Sequence, residues 1–393
     1  MNYSNIRKQL GIDNVKQFDE TMAYVTHYLQ NLGYDAVNNY EELAINHVTG
    51  IDLNNIVYDI PFPPPANPSF TFIDLFAGIG GMRLAFQNLG GKCIFSSEWD
   101  SYAQKTYELN YGEVPFGDIT KIDENIIPDH DILVAGFPCQ AFSIAGRRGG
   151  FEDTRGTLFF DVARIIRAKR PRAFFLENVK GLTNHDRGQT LEVILNTLRN
   201  DLGYYVPEPK VMNAVDFGVP QNRERIFIVG FRQDTGITEF NYPQPTGTNI
   251  RFIDVREEEE VSVKYYLSTQ YLQTLRNHKS RHEAKGNGFG YTVIPNDGIA
   301  NALVTGGMGR ERNLIVDNRL TNFTPVTRIK GEVNREGIRK MTPREWARLQ
   351  GFPDIFKIEV SDVQAYKQFG NSVAVPAVQA TAQEVVNSLL RGV

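Results

Sequence analysis

Between Phe70 and Gly230 the chain alternates short apolar runs with amphipathic helical stretches. Phe70–Phe76 reads as a strand, Ala77-Gly78-Ile79-Gly80-Gly81 as a glycine turn, and Met82–Leu89 as a helix. A strand Cys93–Ser97 follows, with Glu98-Trp99-Asp100 at its tip, then a helix Ser101–Asn110 and a loop holding Asp118-Ile119. Ile132–Ala135 is a third strand, closed by Gly136-Phe137-Pro138-Cys139-Gln140. Helix Leu158–Ala168, strand Ala173–Leu176 tipped by Glu177-Asn178-Val179, helix Thr190–Asp201 and strand Arg225–Gly230 complete the series. Alternation of this kind predicts an α/β fold, a doubly wound and mainly parallel sheet with helices on both faces.

The flanks differ from this core. Residues 1–60 are polar and helix-prone, with Phe18, Met22, Val25, Tyr28 and Leu29 at helical spacing, and read as a helical N-terminal appendage. Residues 61–68 form a stiff Pro-rich linker. The alternating unit spans 69–240. Residues 241–340 are irregular and glycine-rich, with short β-like runs, and read as a second, smaller domain. Residues 341–393 return to helix. Thr342 is the expected N-cap, with Pro343 at the first position and Glu345 closing a capping box. The helix Val375–Leu390 is amphipathic and is expected to dock on the sheet.

Composition narrows the chemistry. The two cysteines, Cys93 and Cys139, argue against a disulfide framework in 393 residues, and no Cys/His group has zinc spacing. No metal is expected. No apolar run approaches the ~20 residues of a membrane span, and Met1–Asn14 has no signal-peptide core. The expected location is the cytoplasm. The net charge of −4 gives no overall pull toward nucleic acid, although totals conceal local patches.

The strand tips hold the functional candidates. Gly78, Gly80 and Gly81 allow a ligand close to the backbone at a helix start. Glu98 lies about twenty residues on, a spacing that suits a ribose diol. Trp99 could stack on a purine, and Asp118 could accept from an exocyclic amine. Singly these are ordinary loop residues; at successive tips they fit an adenosine-containing cofactor. A lone thiol at Cys139 is by default a small core residue, but at a strand tip it can serve as a nucleophile. Glu177 follows apolar residues, so desolvation should raise its pKa and make it an acid. Arg223 and Arg225 could bind a carbonyl oxygen or a phosphate; Arg-Glu-Arg taken alone reads as a solvated turn.

In this order, Phe72–Gly81, Gly136–Ser143, Glu177–Val179, Gln221–Arg225, Arg344–Pro353 and Gln368–Val373 resemble the motifs of bacterial DNA (cytosine-5)-methyltransferases of restriction–modification systems. The resemblance covers about residues 70–390 and leaves 1–68 outside. It implies a Rossmann-like S-adenosylmethionine-dependent domain at 69–240, a target-recognition domain at 241–340, and S-adenosylhomocysteine as product. In this family a cysteine thiolate adds to C6 of cytosine, so that C5 can take the methyl group. Cys139 would be that nucleophile, Glu177 would contact N3 and the amino group, Arg225 would contact O2, and Arg223 would lie beside it. Phe76, Ala77, Gly78, Gly80, Gly81, Glu98, Trp99, Asp118, Ile119, Pro138, Leu158, Asn371 and Ser372 would line the cofactor pocket.

The target base must leave the duplex to meet a buried thiol. The segment 143–157 resembles the mobile loop that closes on DNA, with Gln140, Ser143, Arg147, Arg148 and Arg155 as DNA contacts. Arg276, Lys279, Arg281, Lys285, Arg310, Arg312 and Arg319 are a basic set in the second domain, suited to phosphates. The stretches Arg281–Tyr291 and Thr305–Asn313 read as glycine-rich base-reading loops, with Arg281, Lys285, Asn287, Arg310, Glu311 and Arg312 as contacts. They most resemble the HpaII-type recognition region, which implies the inner cytosine of CCGG; CCWGG and CCNGG are alternatives. An RNA cytosine-5 methyltransferase and a DNA-binding regulator are further readings. The partner implied is double-stranded DNA, met as a monomer with no membrane involved. A restriction endonuclease would be a functional rather than a physical partner.

Overall fold

The computed structural model describes residues 60–138, 158–288, 290–306, 308–326 and 331–391. The appendage expected over 1–60 lies outside the described residues except for Ile60, as do Cys139, Gln140, Ser143, Arg147, Arg148 and Arg155.

The apolar runs become one sheet because they are buried on both faces. The chain runs β1 (Phe70–Leu75), α1 (Gly81–Gln87), β2 (Gly91–Ser97), α2 (Ser101–Tyr111), β3 (Ile132–Ala135), α3 (Leu158–Lys169), β4 (Ala173–Val179) and α4 (Gln189–Asn196). It continues through β5 (Tyr204–Tyr205), β6 (Lys210–Asn213), β7 (Gln221–Asn222) and β8 (Glu224–Arg232). The main sheet has the order β2-β1-β3-β4-β8-β5, with β6 also pairing β8. Successive residues of β1 feed opposite cores: Phe72 joins Phe86, Phe175 and Phe227 on one face, and Ile73 joins Leu133, Phe174 and Ile228 on the other. Such double burial explains why the strands read as continuous apolar runs.

One strand departs from the parallel expectation. β8 runs antiparallel to β4, with Val179 opposite Arg225 and Ala173 opposite Phe231. It is also antiparallel to β5 and β6. The link from β6 to β8 carries only a short 3-10 turn, Ala214–Phe217, and β7. A parallel return needs a crossover of about a dozen residues or more, usually a helix, so the chain turns back beside β6.

The second region holds α5 (Thr269–Glu283), β9 (Val293–Ile294), β10 (Ala300–Asn301), β11 (Leu314–Val316) and β12 (Ile338–Lys340). β11 pairs parallel with β9 and antiparallel with β12, while β10 pairs parallel with β7 in a separate two-stranded sheet. The sequence reading missed α5. It is capped by Ser268, which accepts from Tyr271 N, but buries only Leu272 and Leu275, so its helical period is faint. Arg281 therefore sits in the last turn of a helix and not in a loop.

The chain then returns through α6 (Pro343–Leu349), α7 (Asp362–Asn371) and α8 (Val375–Arg391). The capping box at α6 forms as read, with Thr342 and Glu345 bonding each other's backbone. α8 buries Val378, Ala382, Val385 and Leu389 in the core shared with α1 and the sheet.

Candidate active site at the strand tips

The turn after β1 is bent sharply. Phe76, Gly78 and Gly80 have φ of 58°, 57° and 80°. For Phe76 this left-handed backbone is costly, and such strain concentrates at functional turns. The Glu98 carboxylate holds the turn: Gly78 N donates to Oε2 at 2.9 Å, and Asp100 N donates to Oε1 at 2.8 Å. Burial raises the Glu98 pKa, against these backbone donors. A carboxylate has about four lone-pair sites, so two remain for a diol. Trp99 beside it is 77% exposed, a large aromatic face open to solvent. Asp118 caps the short turn Ile119–Lys121, accepting from Thr120 N at 3.1 Å, while Ile119 is buried. Ala77 is buried, Leu158 opens α3, and Pro138 is exposed. The end of α7 meets the turn from the other side: a Cβ added to Gly81 would come within 2.8 Å of Ser372 Oγ. Asn371 is exposed there. The tips of β1, β2 and β3 and the end of α7 thus surround one glycine cradle, and their donor set fits an adenosine with a charged tail.

β4 runs on past the apolar run to Val179, so Glu177 lies within the strand, buried and followed by Asn178 and Val179. Burial pushes its carboxyl pKa up, and the charges of Arg225 and Arg223 oppose the shift. Arg225 Nε lies 3.0 Å from Glu177 Oε1. A Cβ on Gly136 would stand 3.7 Å from Glu177 Oε2, so the carboxyl sits beside the segment that leads to position 139. Asn178 fixes that segment, its Nδ2 donating to Phe137 O at 2.9 Å.

Arg223 does something the sequence did not indicate. It is buried, and its guanidinium donates to Leu303 O at 3.0 Å, Gly370 O at 3.1 Å and Ser372 O at 2.5 Å. Burial and the neighbouring Arg225 charge push its pKa down to about 9. Gln221 and Gln350 reinforce the junction: Gln221 donates to Leu349 O and accepts from Leu303 N, and Gln350 donates to Phe369 O and Ser372 O. Arg223 is thus a clamp between three segments. Its place just before an apolar strand was the only local signal; the partners, 80 to 149 residues away, were not legible there.

In the second region Arg281, Lys285, Asn287 and Arg312 are exposed, and Arg310 stands over the Tyr366 ring. Glu311 is turned inward. It is buried, accepts from Tyr271 Oη at 3.1 Å and pairs with Lys340 at 3.6 Å. Arg276 pairs with Glu336, and Arg319 with Asp317, so these two cations of the basic set are engaged within the chain.

The pattern of the family described as C-5 cytosine-specific DNA methylase matches residues 70–387. The type II methyltransferase M.HpaII of Haemophilus parainfluenzae is 70% identical over 84% of this chain and 93% of its own. M.SsoII of Shigella sonnei is 48% identical over 87% of each chain, and M.HhaI of Haemophilus parahaemolyticus is 44% identical over 81% of this chain and 94% of its own. Among solved structures, the Dnmt2 methyltransferase of S. pombe superposes with a TM-score of 0.59 at 18% identity, covering 82% of this chain and 98% of that one. At that identity it bears on the fold alone, and the fold agrees with the Rossmann-like methyltransferase expected. The strained glycine cradle, the buried carboxyl at the tip of β4 and these relatives converge: the chain belongs to the C-5 cytosine-specific DNA methylases and is a DNA (cytosine-5) methyltransferase of the type II restriction–modification kind.

Proposed function

We propose that the enzyme methylates the inner cytosine of CCGG in double-stranded DNA, using S-adenosylmethionine held in the cradle between β1, β2 and α7. The observation that carries the site is the convergence at the C-terminal ends of the parallel strands of Glu98, exposed Trp99, the Phe76–Gly81 turn and buried Glu177. When bound, the cofactor supplies an electrophilic methyl group. Gly78, Gly80 and Gly81 leave room for it, Glu98 accepts from its ribose, Trp99 covers its purine, and Asp118 with Ile119 borders the ring. Phe76, Ala77, Pro138, Leu158, Asn371 and Ser372 complete the wall.

Cys139 adds as the thiolate to C6 of a cytosine turned out of the duplex, and once C5 carries the methyl group, loss of the C5 proton expels the thiolate and frees the base. Glu177 supplies the proton at N3, a role for which a raised pKa is suited, since the acid must still carry its proton near neutrality. Arg225 faces O2 while orienting Glu177. Arg223 acts one step back, by clamping the segments around them. The DNA contacts proposed are Gln140, Ser143, Arg147, Arg148 and Arg155 in the loop, and Arg281, Lys285, Asn287, Arg310 and Arg312 in the recognition region 241–340. The CCGG reading draws on the close relation to M.HpaII. The enzyme works as a monomer in the cytoplasm and shields DNA from an endonuclease that cuts the same site.

Bisulfite sequencing of plasmid DNA from cells expressing the chain tests this. Conversion-resistant cytosine at the second position of every CCGG is expected. Protection at CCWGG or CCNGG instead would replace the target, and unprotected DNA with methylated tRNA would replace the substrate.

A further inference from the structure

The cofactor turn is held from beneath as well as from Glu98. Tyr111, the last residue of α2, is fully buried and donates its hydroxyl to Gly80 O at 2.7 Å. The same carbonyl accepts Leu84 N, so both of its lone pairs are used. Gly80 has φ of 80° and is the N-cap of α1; a Cβ there would meet the Tyr111 ring at 2.2 Å. The ring is itself fixed. The Arg83 guanidinium lies 4.5 Å from its centroid, and Arg83 pairs with Glu113 and donates to Tyr107 Oη.

On the open side Phe62 closes over Tyr111 with ring centroids 5.8 Å apart. Its backbone is tied down: Phe62 N donates to Asn110 O at 3.0 Å, and Gln87 Nε2 donates to the carbonyls of Phe62 and Pro63. Gln87 also accepts from Arg83 Nε at 3.2 Å. Phe62, Arg83, Tyr111 and Gly80 therefore form one connected unit. It runs from the proline-rich strap to the backbone that would face the cofactor. The strap is not a free linker here.

We propose that Tyr111, acting through Gly80, is a positioning residue for S-adenosylmethionine, and that Phe62 keeps it in place. This rests on the reading that the Phe76–Gly81 turn holds the cofactor. Neither side chain touches the ligand; each fixes the curvature of the turn from the far side. A change at the strap is thereby felt as a change in cofactor affinity.

The test compares Tyr111→Phe, Phe62→Ala, Phe62→Leu and Glu98→Ala in the full chain. Calorimetric binding of S-adenosylmethionine is measured with DNA affinity, KM and kcat. Tyr111→Phe keeps the ring and removes one hydrogen bond. It is expected to weaken cofactor binding and raise KM about five- to tenfold, with kcat at saturation and DNA affinity within about twofold of the parent. Phe62→Ala should behave alike, and Phe62→Leu should recover most of the loss. Parent-like cofactor affinity in Tyr111→Phe and Phe62→Ala, with the loss confined to Glu98→Ala, overturns the inference and leaves the site reading standing. Parent-like affinity in all variants overturns both. An equal fall in cofactor affinity, DNA affinity and kcat would mark Tyr111 as a general structural residue and also overturn the inference.

Discussion

Arg225 reaches Glu177 diagonally across the antiparallel seam between β4 and β8: Val179 is the register partner of Arg225, yet its Nε lies 3.0 Å from Glu177 Oε1, two residues along the strand. Residues two apart share a face, so the reversal of β8 is what brings the cation to the acid. A parallel β8 would present a different end of the strand at this edge.

Glu177→Gln is expected to lower kcat for methyl transfer by about 10²- to 10⁴-fold, the range for a removed general acid, while DNA affinity stays near that of the parent. The parent's rate should fall on the alkaline side as the raised Glu177 carboxyl loses its proton. Stability follows the same sign. A raised carboxyl pKa favours the fold below the unfolded value, and that contribution is lost as pH rises through the folded value. Single-turnover rates across pH check the first point; an unchanged alkaline limb in Glu177→Gln would contradict it.

Trp99 is exposed, so removing it should leave the fold nearly untouched. Trp99→Ala is expected to weaken S-adenosylmethionine about tenfold, the scale of one aromatic–base stack, with the melting temperature almost unchanged. Calorimetry and thermal unfolding on the same samples separate the two effects.

Asp74 is buried on β1, and burial pushes its pKa up to about 7, well above the usual carboxylate range, against the Arg83 charge. Its contribution favours the fold in full below pH ~4 and is lost as pH rises through about 7. Asp74→Asn mimics the protonated form. Urea unfolding should show the variant gaining on the parent above neutrality by roughly 2–4 kcal/mol, with no gain at pH ~4. A constant difference across pH would refute the assignment.

Placement also decides the outcome at Glu311. Held by Tyr271 and Lys340, it is expected to matter for stability more than for base choice. Glu311→Gln should leave the methylated sequence unchanged and cost about 1–3 kcal/mol, the scale of a disturbed buried charge pair. Bisulfite mapping that showed a relaxed motif would return Glu311 to the DNA surface.

The parts of the fold that could be read from sequence are those written locally. Apolar runs buried on two faces, the glycine turn at 78–81 and the capping box at Thr342 each carry their signal within a few residues. What escaped depends on distant partners or on weak patterns. β8 reverses because its link from β6 is short, which shows only once β6 is placed. α5 escaped because two buried leucines make a faint stripe. The sequence sets Arg223 beside Arg225 in the catalytic group, and its clamping role escaped because its acceptors, Leu303, Gly370 and Ser372, lie far along the chain. Glu311 resembled a base reader because sequence says nothing of which way a side chain turns. For the strand-tip candidates, sequence placed the residue types and the structure adds the hydrogen bonds that orient them.

The Arg223 clamp also sets an order in time. The ribosome makes the cradle, the acid tip of β4 and Arg223 itself well before it makes Gly370, Ser372 and α8. A growing chain thus carries the buried guanidinium without its carbonyl partners and α1 without its cover. The junction around Arg223 can therefore close only after Ser372 has been made, so one of the last parts of the fold to be synthesised seats a side chain made 149 residues earlier.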